Sequence, residues 1–97
     1  MSAYMLAICD VSNPHDNFKK YAQLSAALVA EHGGEYVVRG KPAGNVEGDV
    51  LEGKVIILTK FPSLDDLKAF VEGDKYQNEI KPLREGAGEF HIAYYEA

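Results

Sequence analysis

Two short runs constrain this chain more than any other feature. YMLAIC (residues 4–9) and VIIL (residues 55–58) are apolar at every position. Their lengths suit β-strands, and successive strand side chains point to opposite faces, so both faces of the sheet that contains them need apolar cover. A chain of 97 residues is one domain, 1–97, and buries about 65% of the surface it exposes when unfolded. The cover must come from few elements.

Helical periodicity occurs twice. In NPHDNFKKYAQLSAALVAEHGG, Asn13 is a cap residue, Pro14 suits the first turn, Asp16 complements the positive end of the dipole, and Gly33 suits a left-handed stop. Phe18, Tyr21, Ala22, Ser25, Leu28 and Val29 recur at spacings of three and four and form one apolar stripe. The second helix is SLDDLKAFVEG, opened after Pro62 by Ser63 with Asp66 three residues on. A short turn, DKYQNEI, follows with Asp74 at its head, before Pro82. Strands are expected over Tyr4–Cys9, Glu35–Arg39, Lys54–Phe61 and Glu89–Tyr95, with a glycine-rich loop from Gly40 to Gly53.

The order β-α-β-β-α-β is the ferredoxin-like, split βαβ arrangement: an α+β fold with a four-stranded antiparallel sheet. Two helices cover one face of such a sheet. A second copy packed sheet to sheet would cover the other, so a homodimer is expected, unless the loop from Gly40 to Gly53 folds across that face.

Composition narrows the function classes. The 46% hydrophobic and 26% charged residues are ordinary for a globular domain, and a formal charge of −5 opposes binding to a phosphate backbone. No nucleic-acid partner is expected, because the basic residues are scattered and the third strand lacks stacking aromatics. One cysteine, Cys9 within an apolar run, excludes an internal disulfide and a multi-thiolate metal site. No histidine spacing matches a metal motif, and neither a dinucleotide turn, a P-loop nor a serine-nucleophile elbow is present. No metal, no cofactor and no membrane partner are expected, and the default location is cytoplasmic.

The topology gathers polar residues at one sheet edge: Asp10 ending the first strand, Arg39 ending the second, Glu52 and Lys54 before the third, Glu89 and His91 in the fourth. The segment with Tyr76 and Arg84 returns to that edge, and Tyr21 lies on the first helix's stripe. Tyr76, Ile80 and Arg84 share a face if the turn stays helical through Pro82. Arg39 has Asp10, Glu52 and Glu89 as possible ion-pair partners. His32 lies at the opposite edge, at the negative end of the helix dipole. His15 is expected to be solvated, and the face of His91 is open.

The pieces Asp10-Val11, Tyr21, HGGEYVVRG, LEGKVIIL, FPS, AF, DKYQ and PLREGA resemble, in this order and over nearly the whole chain, the family catalogued as domain of unknown function 1330. The resemblance implies a ferredoxin-like subunit of the dimeric α/β-barrel superfamily and a sheet-to-sheet homodimer. That family's recurring polar positions fall on Asp10, Tyr21, Arg39, Glu52, Tyr76 and Arg84. Lys54 and Phe70 depart from it, where tryptophan or arginine, and tryptophan, are common. Relatives in the superfamily are similar to cofactor-free monooxygenases, lactone isomerases and small hydrolases, and a shared fold does not choose among them. The expected function is a small-molecule pocket for an anionic or carbonyl-bearing ligand. Arg39 and Arg84 would bind it, Tyr21 and Tyr76 orient it, and Asp10 would be the candidate base of a cofactor-free enzyme. The alternative is a non-catalytic binding or structural dimer module.

Overall fold

A computed structural model describes all of residues 1–97. Its elements run β1 (Ala3–Val11), α1 (Asp16–Glu31), β2 (Glu35–Gly40), β3 (Val55–Phe61), α2 (Leu64–Val71), a π-helical turn over Lys75–Ile80 continuing into a 3₁₀ turn over Lys81–Arg84, and β4 (Gly88–Glu96). The sheet order is β2-β3-β1-β4, with every neighbouring pair antiparallel. This is the ferredoxin-like βαββαβ arrangement. No helix is long and apolar enough to cross a membrane.

Alternation along β1 defines the two faces. Ala3, Met5, Ala7 and Cys9 are buried toward the helices, while Tyr4, Leu6 and Ile8 are half-buried on the other side. The inner face of β3 is Val55, Ile57, Thr59 and Phe61. Register with β1 places Phe90, Ile92 and Tyr94 of β4 on the same side. Phe61, Leu67 and Ile80 are almost fully enclosed in the core with Leu28, Val29, Phe70 and Tyr76. Each such side chain contributes about 1.5–3 kcal/mol by leaving water.

β2 carries an irregularity that matters for function. Tyr36 pairs with Thr59 and Val38 with Leu58, so Val37 is an extra residue in the ladder. Arg39 is three positions beyond Tyr36, which in a regular strand would put them on opposite faces. The bulge returns Arg39 to the inner face, opposite Ile57.

The start of α1 differs from the sequence expectation. His15 is the N-cap: its Nδ1 accepts the Phe18 N–H at 2.9 Å, while its Nε2 lies 2.8 Å from the Glu85 carbonyl oxygen. These two partners require a neutral ring carrying its proton on Nε2. Asn13 is drawn instead to the connection before β4, where its N–H donates to the Ala87 carbonyl and its Nδ2 to that of Gly86. At α2 the expected cap is present, with Ser63 Oγ accepting the Asp66 N–H at 3.1 Å. Asp74 makes no capping bond; its carboxylate accepts from the Asn78 amide.

Gly88 closes the loop onto β1. Its φ is 158°, and a β-carbon there would overlap the Asp10 carbonyl oxygen.

The outer face of the sheet reads in rows. Val38, Leu58, Leu6 and Ala93 form one, and Gly40, Ile56, Ile8 and His91 the next. Lys60 and Tyr4 flank them on one side, Asp10 and Glu89 on the other. His91 therefore points away from the helices. Val46 and Val50, in the loop before β3, project into solvent and do not pack on this face.

Candidate functional site

Helix α1 leans on the 75–84 segment more than on the sheet. Its C-terminal half joins the core through Leu28 and Val29. Before them, Phe18, Tyr21, Ala22 and Ser25 form the roof of a cavity of about 390 Å³ whose floor is the inner face of β1, β3 and β4. That volume is in the range of small-molecule sites. The lining is mostly apolar and rich in rings: Phe18, Tyr21, Tyr36, Phe70, Tyr76 and Phe90 all contribute.

Polar groups converge at the end nearest Cys9. The Tyr21 and Tyr76 hydroxyls are 3.0 Å apart, and Arg84 Nη1 donates to both at 3.3 Å. The Arg84 guanidinium lies 4.6 Å from the Phe90 ring centroid, a cation–π geometry. Local structure explains why these residues meet. The π turn wraps five residues back, with the Lys81 N–H on the Tyr76 carbonyl, and the 3₁₀ turn carries Pro82 near its start, where a missing N–H costs nothing. Tyr76, Ile80 and Arg84 thereby keep one direction through the proline, as the spacing predicted.

Hydrogen counting gives the cluster its chemical character. Two hydroxyls own two hydrogens, and the Tyr21–Tyr76 bond uses one, which leaves one O–H free to donate. Arg84 presents five N–H donors, of which only those on Nη1 are engaged. Burial, reinforced by the adjacent Tyr21, pushes the Tyr76 phenol well above its ordinary value, so it stays protonated. Burial likewise raises the Cys9 thiol, with the Arg84 charge opposing in part, so Cys9 is a neutral wall of the site.

Arg39 reaches the same cavity from β2. Its guanidinium stacks 4.8 Å from the Tyr36 ring centroid, and it lines the cavity while keeping solvent access, a position at the mouth. Lys41 lies beside it in the lining. Burial raises the Tyr36 phenol, an effect the Arg39 charge partly offsets. Neither arginine has a carboxylate partner: the chain's one ion pair joins Lys19 to Asp16 at 3.9 Å on the surface. In a chain of net charge −5, the cavity lining includes Arg39 and Lys41 and no acidic residue, while Arg84 stands behind Tyr21 and Tyr76, outside the lining.

Of the six residues singled out from the sequence, the structure brings Tyr21, Arg39, Tyr76 and Arg84 together and leaves two outside. Asp10 is exposed on the outer face, because the alternation that turns Cys9 inward turns Asp10 outward. A base at that position does not reach this cavity. Glu52 sits in an exposed turn where its N–H donates to the Asp49 carbonyl. Four polar lining residues, Tyr36, Lys41, Ser25 and Thr59, escaped sequence reasoning. Tyr36 shares a face with Arg39 only through the bulge, Lys41 belongs to the glycine-rich loop, and Ser25 and Thr59 are single small polar residues within apolar stretches.

Residues 2–97 match the family described as Domain of unknown function (DUF1330). None of the curated proteins matches the chain. Among solved structures, the RPA0582 protein of unknown function from Rhodopseudomonas palustris is 14% identical with a TM-score of 0.73, over 99% of this chain and 82% of that one. A protein provisionally assigned as an antibiotic biosynthesis monooxygenase from Caulobacter crescentus is 23% identical with a TM-score of 0.63, over 99% and 89%. SnoaB, a cofactor-independent oxygenase from Streptomyces nogalater, is 11% identical with a TM-score of 0.65, over 99% and 92%. At these identities the likeness is one of fold.

Proposed function

Because the chain belongs to the DUF1330 family, whose description carries no reaction, we propose a function from the cavity itself: it binds a small, largely apolar molecule that bears a carboxylate or carbonyl oxygen. The observation that carries this reading is the set of cavity cations with no carboxylate to neutralise them. A guanidinium stacked on Phe90 and bonded only to neutral hydroxyls has lost part of its hydration without gaining a counter-ion. An anionic or polarised oxygen completes it. The free phenolic O–H then donates to that oxygen, with the Arg84 charge behind the two tyrosines reinforcing it, and Arg39 closes the mouth.

A cofactor-free enzyme is one form of this function, and the cofactor-independent oxygenase of similar fold supports it. The lining offers no carboxylate or imidazole base, and the tyrosine hydroxyls already carry their protons, so any proton removed from a bound substrate passes to a co-substrate. The working unit is a homodimer in the cytoplasm, its outer faces joined over the rows centred on Leu6 and Leu58. Against this stands a non-catalytic structural module, favoured by one observation: the Tyr21–Tyr76–Arg84 bonds already tie α1 to the 75–84 segment.

Thermal unfolding with a panel of small carboxylates, lactones and quinones separates the two. A compound that raises the wild-type midpoint but not that of Arg39→Met or Arg84→Met supports the pocket. Variants that only lose stability, with no compound shifting the wild type, support the structural module.

A further inference from the structure

One row of the sheet runs the width of the cavity and has a cation at each end. Val55 of β3 pairs with Cys9 of β1, and Cys9 with Phe90 of β4. Gly40 pairs with Ile56, so the next residue, Lys41, extends this row at the β2 edge. Lys41, Val55, Cys9 and Phe90 all line the cavity. At the far edge the Arg84 guanidinium lies 4.6 Å from the Phe90 ring centroid. With the order β2-β3-β1-β4, the two edges are three strand intervals apart, about 14 Å.

The two ends differ in what they can hold. Arg39 and Lys41 are exposed to solvent at the mouth and have no carboxylate partner, and Tyr36 stacks on the Arg39 guanidinium. A carboxylate bound there meets two cations while keeping part of its hydration. At the Phe90 end Tyr76 is 4% exposed, and the cavity meets a phenolic O–H with the Arg84 charge behind it. A carboxylate pressed against that wall would exchange its water for a single neutral donor, at a cost, whereas a carbonyl oxygen is satisfied by that one donor. Between the ends the walls are apolar, with Val55 and Cys9 below and Phe18 and Ala22 above.

We infer that Arg39 and Lys41 form a carboxylate site at the mouth, and that the ligand is an aromatic acid bearing a carbonyl group, laid across the strands with its carboxylate at this site and its carbonyl oxygen on the Tyr21–Tyr76 pair. The inference rests on the pocket reading above and deepens it, since it assigns each oxygen to one end. The ring-rich lining suits a planar body, and the span between the edges, less the reach of the side chains, is that of one or two fused rings. Lys41 is then a residue that determines specificity.

The test uses a matched trio on a benzene ring, 4-acetylbenzoate, its methyl ester and 4-ethylbenzoate, and the same trio on naphthalene, 6-acetyl-2-naphthoate, its methyl ester and 6-ethyl-2-naphthoate. Calorimetric titration of the full chain is expected to show at least one acetyl acid binding about ten-fold more tightly than both its ester and its ethyl analogue. The variant Arg39→Met/Lys41→Met, changed only at exposed positions, is expected to lose the preference over the ester and keep the preference over the ethyl acid. Tyr21→Phe/Tyr76→Phe, which keeps both rings, is expected to do the reverse. Equal binding of acid and ester, or a preference for the acid that survives the mouth variant, overturns the carboxylate site and leaves the pocket standing. Equal binding of the acetyl and ethyl acids overturns the carbonyl end. Loss of the preference over the ester in the tyrosine variant places the carboxylate inside and overturns the assignment of ends. No uptake of any of the six compounds overturns the pocket reading and this inference with it.

Discussion

The hydroxyls of Tyr21 and Tyr76, 55 positions apart in the chain, lie 3.0 Å from each other under a single nitrogen of Arg84. Tyr76→Phe removes one hydroxyl of this group and keeps the ring that packs 5.1 Å from Phe70. The expected cost is about 1 kcal/mol in stability and about ten-fold in ligand affinity, read by denaturant titration and calorimetry. A purely structural network predicts the first change without the second.

Stability should decline at alkaline pH with a known sign. Burial holds the Tyr76 phenol above 10, its ordinary value, and the Cys9 thiol above 9.0. Below those values both groups are protonated in the folded and the unfolded chain, and their contribution is intact. As the pH passes them the unfolded chain ionises first, so stability falls by up to about 1.4 kcal/mol per pH unit for each group, until the folded values are reached. Denaturation midpoints measured across this range should drop more gently in Tyr76→Phe. Equal slopes in the two proteins would count against burial as the cause.

The bulge at Val37 makes a prediction that only strand geometry supplies. Deleting Val37 leaves Tyr36, Val38 and Arg39 in regular alternation, with Tyr36 and Arg39 both facing inward, so ligand binding that depends on Arg39 should persist. Inserting one serine between Val38 and Arg39 should turn the arginine to the outer face and lower affinity at least ten-fold. Binding titrations of the two variants, with circular dichroism as a check on folding, decide it.

Gly88→Ala should be among the most damaging small changes in the chain. The added carbon meets the Asp10 carbonyl oxygen and must adopt a φ of 158°. A loss of about 3 kcal/mol or more is expected. Gly40→Ala, at φ 149° but with open space around the new carbon, should cost only the strain, about 1–2 kcal/mol. Chemical denaturation of the pair separates clash from strain.

Leu6 and Leu58 are cross-strand partners at the centre of the outer face. Leu58→Arg should convert the dimer proposed above to a monomer in sedimentation velocity and leave the cavity intact. A wild type that sediments as a monomer would remove the dimer from the proposal.

Much of this molecule was legible in its residues, and the failures share a cause. The strands, both helices and their order followed from periodicity and caps, because each element repeats its signal several times. The inward turn of Arg39 did not, since it depends on Val37 being an extra residue in the ladder, and Val37 and Val38 have identical strand propensities. Asp10 stands at the expected edge, but its outward turn was not legible, because YMLAIC is apolar at both parities and alternation alone cannot say which set faces the helices. His15 was overlooked as a cap because its role needs an acceptor nitrogen held by a contact to Glu85, 70 residues away. Single-position features with distant partners are what local pattern does not encode.

Small side chains, Ala7 and Cys9 below and Ala22 and Ser25 above, set much of the height of the cavity. None of them belongs to the buried cluster of Phe61, Leu67, Phe70 and Ile80 that holds the domain together. A lineage could therefore lengthen, shorten or fill this chamber one methyl group at a time while the frame stayed as it is. The same scaffold could then serve molecules of quite different size, each fitted by changes at a handful of positions.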